Sequence, residues 1–371
     1  MSKWAKTTLG KIADIITGPF GSQLHQSDYV KQGIPIVMPQ DIGNRNINYN
    51  TINYVSEEDA TRLKRYSTVA NDILYARRGD VEKHAFVRAK DAGVLCGTGC
   101  LRVRINSNEV EPAFLSFYLN REETRKWLVT HAVGTNMPNL NTDILSDVPI
   151  AYPTLKEQRK IVKVLNCLEE RIILNEKIND NLASMAYDIY MHTFFSKKPN
   201  GKLKDILIEA DKSSVQVGEA KQSTGEYPFF TSGSAILKWD IPFINGRNCF
   251  LNTGGNADVK FYVGEAAYST DTWCISTNNN MSDYLYLLLV SIKPELNQKF
   301  FQGTGLKHLQ KPLLKDRPIY IPDFEKLKTF NEQVNPMFNI ISENTRENQA
   351  LITLRDWLLP MLMNGQATIS D

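Results

Sequence analysis

Along residues 154–190, mostly apolar positions recur in alternating steps of four and three: Ile161, Leu165, Leu168, Ile172, Asn175, Asn179, Leu182, Ala186 and Ile189. That period is a heptad seam, the mark of a helix packed lengthwise on another helix. A second seam runs through Phe330, Val334, Met337, Ile341, Asn344, Asn348, Leu351, Arg355 and Leu358. A helix of about 30 residues is about 45 Å long, too long for the inside of one small globule. Asparagine stands at the same two seam positions in both copies. An amide in a seam costs stability and fixes register, because it must find a partner. If the helices pair antiparallel about a pseudo-twofold axis, partners share one index total. Asn175 with Asn348 and Asn179 with Asn344 both total 523, so these are the expected pairs.

The seams belong to a larger duplication. Gly134–Phe194 aligned without gaps on Gly303–Met363 gives 13 identities in 61 positions, where chance gives about four. Each copy passes through a P-I-x-x-P segment, Pro149–Pro153 and Pro318–Pro322, read as the hinge into its helix. Before each helix lies a strand-rich block, 1–153 and 198–322, the second opening after the polar linker SKKPNGK. Both blocks hold a strand–turn–strand, DILYARRGDVEKHAFV (72–87) and NCFLNTGGNADVKFYV (248–263), in which Gly79 matches Gly255. A turn on glycine has no bulk at its tip and can approach another surface closely. The expected fold is therefore α+β: two mixed, strand-rich domains separated by two long antiparallel helices in a pseudo-twofold coiled coil. Its segments are domain 1–153, helix 154–197, domain 198–322 and helix 323–371.

Composition narrows the function. With 42% hydrophobic residues the chain can bury real cores, and no apolar run reaches the ~20 residues of a membrane span. The five cysteines include no C-x-x-C, and the N-terminus has no signal-peptide core, which reads as a reduced, cytoplasmic protein. A net charge of +2 does not by itself announce nucleic acid, although RLKRY (62–66), YARRGD (75–80) and RVR (102–104) cluster basic groups. The chemistry of an enzyme is missing. There is no P-loop, no GxGxxG, no HExxH, and the five histidines have no ligand spacing. NMPNLN lacks the paired prolines of an amino-methyltransferase loop, and PDFEKLK fails the Glu-x-Lys step of a nuclease.

Two variable strand-rich blocks, each followed by a duplicated long helix, resemble the specificity subunit of type I restriction–modification systems over the whole chain. The wording that carries the resemblance is GPFGSQLHQSDYVKQGIPIVMPQDI (18–42), NDILYARRGD (71–80), GTNMPNLNTDILSDVPIAYPTLKEQRKIVKVL (134–165), TGEYPFFTSG (224–233) and NTGGNADVKFYV. The second helix departs from it, with EKLKTF (325–330) where the first has KEQRKI. The resemblance implies a non-catalytic DNA-binding subunit, each block a target-recognition domain reading one half of a bipartite site in double-stranded DNA. The paired helices are then a spacer. The partners it implies are two methyltransferase subunits and, in the full complex, translocase–endonuclease subunits. Methyl donor and ATP sit on those partners, and this chain carries no cofactor, metal or membrane contact. A specificity subunit of a type II system is the nearest alternative, and a divergent methyltransferase or nuclease a distant one.

Base edges are read by Arg or Lys on guanine and Asn or Gln on adenine, with amides and cations on phosphates. In the first block that selects Gly21, Ser22 and Gln23, then Arg77, Arg78, Lys83 and His84 at the glycine turn, and Asn136 and Asn139. In the second it selects Gln222, Ser223, Thr231, Ser232, Asn252, Thr253, Asn256, Lys260, Lys307 and His308. Arg77 and Arg78 are expected to govern one half-site, and Lys260 and Lys307 the other.

Overall fold

The computed structural model describes residues 4–134 and 138–369. The chain folds as two compact units, Met1–Glu169 with Thr353–Asp371, and Glu170–Ile352.

In the first unit, β1 (Ala13–Thr17), β2 (Ile73–Ala76), β3 (His84–Phe86) and β4 (Cys100–Ile105) form an antiparallel sheet in the order β1-β4-β2-β3. All four residues of β2 are buried. Ile73 and Tyr75 join a core with Phe114 and Phe117, while Leu74 and Ala76 join another with Val37 and Leu95. Successive side chains of a strand point to opposite faces, so an unbroken apolar run marks a strand covered on both. Helix Pro112–Leu119 supplies one cover. A second sheet, in which Ile34–Val37 pairs parallel with Leu95–Cys96, supplies the other.

In the second unit, β5 (Leu207–Glu209), β6 (Arg247–Asn252), β7 (Val259–Val263) and β8 (Thr272–Thr277) repeat the plan in the order β5-β8-β6-β7. Cys249 and Leu251 face a core with Trp273, Tyr284 and Leu285, and Phe250 faces another with Tyr262 and Tyr268. Phe250 stacks there on Phe230, centroids 4.1 Å apart. Its second sheet again holds one parallel pair, Phe229 beside Ala267.

The duplicated P-I-x-x-P segments form strands. Pro149–Tyr152 pairs antiparallel with Ala5–Thr8, and Pro318–Ile319 with Gly201–Lys202, so each closes its unit against that unit's own first strand. The helices α1 (Leu155–Tyr190) and α2 (Phe324–Met363) follow. The start of α1 is a capping box: Thr154 N–H donates to Glu157 Oε2 at 3.1 Å, and Glu157 N–H donates to Thr154 Oγ1 at 3.4 Å. Asp323 caps α2, its Oδ1 accepting from Lys326 N–H at 3.0 Å.

Residues 170–190 of α1 and 324–352 of α2 lie in the second unit. Here Asn175 Nδ2 donates to Asn348 Oδ1 at 2.9 Å, and Asn344 Nδ2 donates to Asn179 Oδ1 at 2.8 Å. Asn348 Nδ2 reaches the Ile172 carbonyl and Asn179 Nδ2 the Ile341 carbonyl, so partners run in opposite order along the two segments. The helix buries more than its seam. Phe338, outside the heptad register, packs on Phe261 at 4.9 Å and Tyr286 at 5.3 Å. Ser342 Oγ accepts from Val263 N–H at 2.9 Å. A helix that must also cover a sheet needs an apolar stripe wider than a coiled-coil seam. Among the described residues, no helix is long and apolar enough to cross a membrane.

Candidate nucleic-acid interface

At the end of β2 the first unit makes its glycine turn, with Gly79 at φ +82°, a backbone region that favours glycine. Three backbone bonds hold the turn. Arg77 N–H donates to the Gly99 carbonyl (2.8 Å), Leu140 N–H to the Arg77 carbonyl (2.9 Å), and Gly79 N–H to the Pro138 carbonyl (3.3 Å). The second unit repeats all three. Thr253 N–H donates to Asp271 (3.0 Å), Leu309 N–H to Thr253 (3.0 Å) and Gly255 N–H to Lys307 (2.8 Å), with Gly255 at φ +84°. Each glycine turn is thus sewn to the hairpin that precedes the duplicated helix. Arg77, Arg78 and Asn139 come together in one unit, and Thr253, Lys307 and His308 in the other, through bridges Arg78 to Asn139 and Gly254 to His308.

The remaining candidates divide by burial. Gly21, Ser22 and Gln23 form an exposed turn, held because Gln23 Oε1 accepts from the Tyr66 hydroxyl at 2.9 Å. Arg78, Gln222, Asn256, Lys307 and His308 are exposed, while Arg77, Asn139, Ser223, Ser232 and Thr253 are half-buried. Lys83 pairs with Asp80 across the turn. Ser223 Oγ donates to Asp240 at 3.1 Å. Asn136 lies outside the described residues.

Four candidates are taken up by the fold. His84 is 1% exposed and shares a 2.9 Å hydrogen bond with Ser116 Oγ. It follows the turn on a strand covered on both faces, where its ring is sealed from any DNA surface. Asn252 is buried and organises the second glycine turn: its Nδ2 donates to the Gly254 carbonyl (2.7 Å), and its Oδ1 accepts from Asp258 N–H (2.7 Å). Thr231 is buried, its hydroxyl donating to the Ala235 carbonyl at 3.1 Å. Lys260 donates to the Thr231 carbonyl at 2.7 Å and to the Gly233 carbonyl, and burial lowers its pKa. Its ammonium is spent on a protein turn, which leaves Lys307 as the exposed cation of the expected pair.

Burial, then the nearby Arg45 charge, pulls the His84 pKa down to about 3. The unfolded imidazole takes its proton near the ordinary value of about 6.5, so stability is retained above that pH and lost as pH falls toward 3. By pH 5 the loss is on the order of 2 kcal/mol. Thermal melts at pH 7.5 and 5.0 check this, with His84→Gln expected to show the smaller drop between them. Equal drops would remove His84 as a source of acid lability.

Arg45 carries no motif in the sequence, and Leu306 is not among the residues selected for base contact although it precedes Lys307 and His308. Arg45 holds φ +61° and is 3% exposed, and its guanidinium meets Glu169 of α1 (Nε to Oε1, 3.0 Å) and Ser116 (Nη1 to Oγ, 2.8 Å). Leu306 stands at 65% exposure on the hairpin sewn to the second glycine turn. Among the described residues, no group of three or more His, Cys, Asp or Glu is placed to hold a metal ion.

Each unit thus repeats one frame, a glycine turn backed by a two-layer core and leading into a long helix. The chain belongs to the type I restriction modification DNA specificity domain family, whose model matches residues 1–184 and again 196–351. It is 22% identical over 410 residues to a putative type I restriction enzyme MjaX specificity subunit of Methanocaldococcus jannaschii, covering 99% of this chain and 94% of that one. It is 23% identical over 468 residues to the HindI specificity subunit of Haemophilus influenzae, covering 99% and 100%. The crystal structure of a type I S subunit from M. genitalium shares the fold at a TM-score of 0.62 and 15% identity, covering 100% of this chain and 97% of that one.

Proposed function

We propose that the chain reads a bipartite site in double-stranded DNA, residues 1–153 taking one half and 198–322 the other. The observation that carries this reading is the threefold backbone stitch, repeated at equivalent residues in both units. It presents the same turn-and-hairpin surface twice with different side chains: Arg77, Arg78 and Asn139 in one, Thr253, Lys307 and His308 in the other. A protein that reads two unlike half-sites needs a constant frame and variable contacts.

The helices act as a spacer, an antiparallel coiled coil with a pseudo-twofold axis, and the Asn175–Asn348 and Asn179–Asn344 pairs set its register. Half-sites lie about one helical turn, ~34 Å, apart or a multiple of it, a span that helices of this length can match. The same axis gives two identical methyltransferase subunits equivalent docking surfaces, and translocase–endonuclease subunits join them. Methyl transfer and ATP use fall to those partners, in the cytoplasm, and this chain supplies recognition alone.

Mapping methylated adenines in the source genome tests the reading. The expected result is a split motif with a fixed gap, lost when the gene is deleted. Unsplit methylation, or methylation unchanged by the deletion, refutes it.

A further inference from the structure

Leu306 sits at the tip of the hairpin that is sewn to the second glycine turn, in the segment Gly303-Thr-Gly-Leu-Lys-His308. The residue is 65% exposed, between Gly305, where an added Cβ would meet nothing within 4 Å, and the exposed Lys307. A Cβ built on Gly254 of the glycine turn would stand 3.7 Å from the Leu306 Cδ2, so the leucine leans along the turn.

A single exposed aliphatic residue on a surface needs no explanation. Leu306 differs from such a residue in its place, on a hairpin bonded to the glycine turn and next to the exposed cation Lys307 and the exposed His308. It fits a specific ligand: stacked bases edged by phosphates. Proteins that bend DNA insert Leu, Ile, Met, Phe or Pro between base steps, while neighbouring cations hold the backbone.

We infer that Leu306 is an apolar wedge that enters the DNA at a base step of the second half-site and partly unstacks it, with Lys307 on the adjacent phosphate. This rests on the DNA-reading function proposed above. The wedge gives a reason for Gly305, where an added Cβ would meet nothing in the protein but would stand beside the entering leucine; Gly303 is set by the turn itself, at φ +150° with a Cβ only 2.6 Å from the Leu306 carbonyl. It makes part of the recognition depend on how readily that step deforms, beyond any base-edge contact.

The test uses the full chain and a duplex carrying the mapped bipartite motif, with 2-aminopurine placed in turn at each step of the second half-site. Binding is followed by anisotropy from 50 to 300 mM KCl and unstacking by 2-aminopurine fluorescence. Wild type is expected to brighten one step. Leu306→Ala is expected to abolish that signal and weaken binding about tenfold, from the lost apolar burial, with the salt dependence unchanged. Lys307→Ala is expected to lower the salt slope by about 1. If Leu306→Ala binds and brightens like wild type while Lys307→Ala changes the slope, the wedge is wrong and the DNA surface stands. If neither variant changes anything, the hairpin is not at the DNA, and the reading of this surface falls with the wedge. Because Leu306 is exposed, folding of the alanine variant is not at issue, and matched thermal melts verify it.

Discussion

Arg45→Ala is expected to destabilise the first unit by about 3–5 kcal/mol, the cost of leaving a buried charge without its partner. Glu169 has only 10% of its side chain exposed and takes two bonds from Arg45, at 3.0 and 3.3 Å. Arg88 reaches the same carboxylate only at 3.5 Å. The Arg45 guanidinium also lies 3.3 Å from the centroid of the Phe117 ring, a contact that depends on its planar group. Burial draws its pKa down to about 10, so it remains charged at neutral pH. Arg45→Lys keeps the charge and loses the fork, and is expected to rescue only part of the loss. Arg45→Gly gives a control on the backbone: at φ +61° it should cost roughly 1 kcal/mol less than Arg45→Ala. Urea unfolding of the full chain measures all three. A loss under about 1 kcal/mol for Arg45→Ala would mean that Arg88 and solvent satisfy Glu169 unaided.

Arg78→Ala is expected to cost about 1–3 kcal/mol of binding and to relax the base preference of one half-site only. Arg78 is exposed, lies on the glycine turn and is bridged to Asn139, so its removal disturbs little of the fold. Lys307→Ala should act on the other half-site, mainly through phosphate contact and so through salt dependence. Lys260→Ala, by contrast, should change stability first, because its ammonium holds the turn at Thr231 and Gly233. Binding of duplexes mutated in one half at a time separates these effects. Equal weakening on both halves by Arg78→Ala would count against the division of labour.

How far the sequence foretold the structure depends on the distance over which each feature is set. The seams, glycine turns and asparagine pairs are periodic or repeated, and repetition shows in a single chain. The four asparagines meet in the two pairs with index total 523. His84 could have been read more closely: it stands two residues before Phe86, and a period of two puts both on one face of β3. Asn252, just ahead of the Thr-Gly-Gly turn, is a residue type that bonds its own backbone two residues on. Arg45 and Glu169 are another matter. They are 124 residues apart and joined by no motif, so only tertiary packing brings them together.

The second unit fastens its sheet to α2 with a different arginine. Arg247 forks onto Asp283 with two 2.6 Å bonds and reaches Asn339 Oδ1 at 2.7 Å and the Asn335 carbonyl at 3.2 Å. Each block is therefore keyed to particular residues on the helices, and the two keys do not match. A transplant that exchanges residues 1–153 alone carries Arg45 away from Glu169, and one that exchanges 198–322 alone carries Arg247 away from Asn335 and Asn339. Grafts of new specificity onto this scaffold should be cut beyond Glu169 in the first case and beyond Asn339 in the second, with each lock moved together with its key.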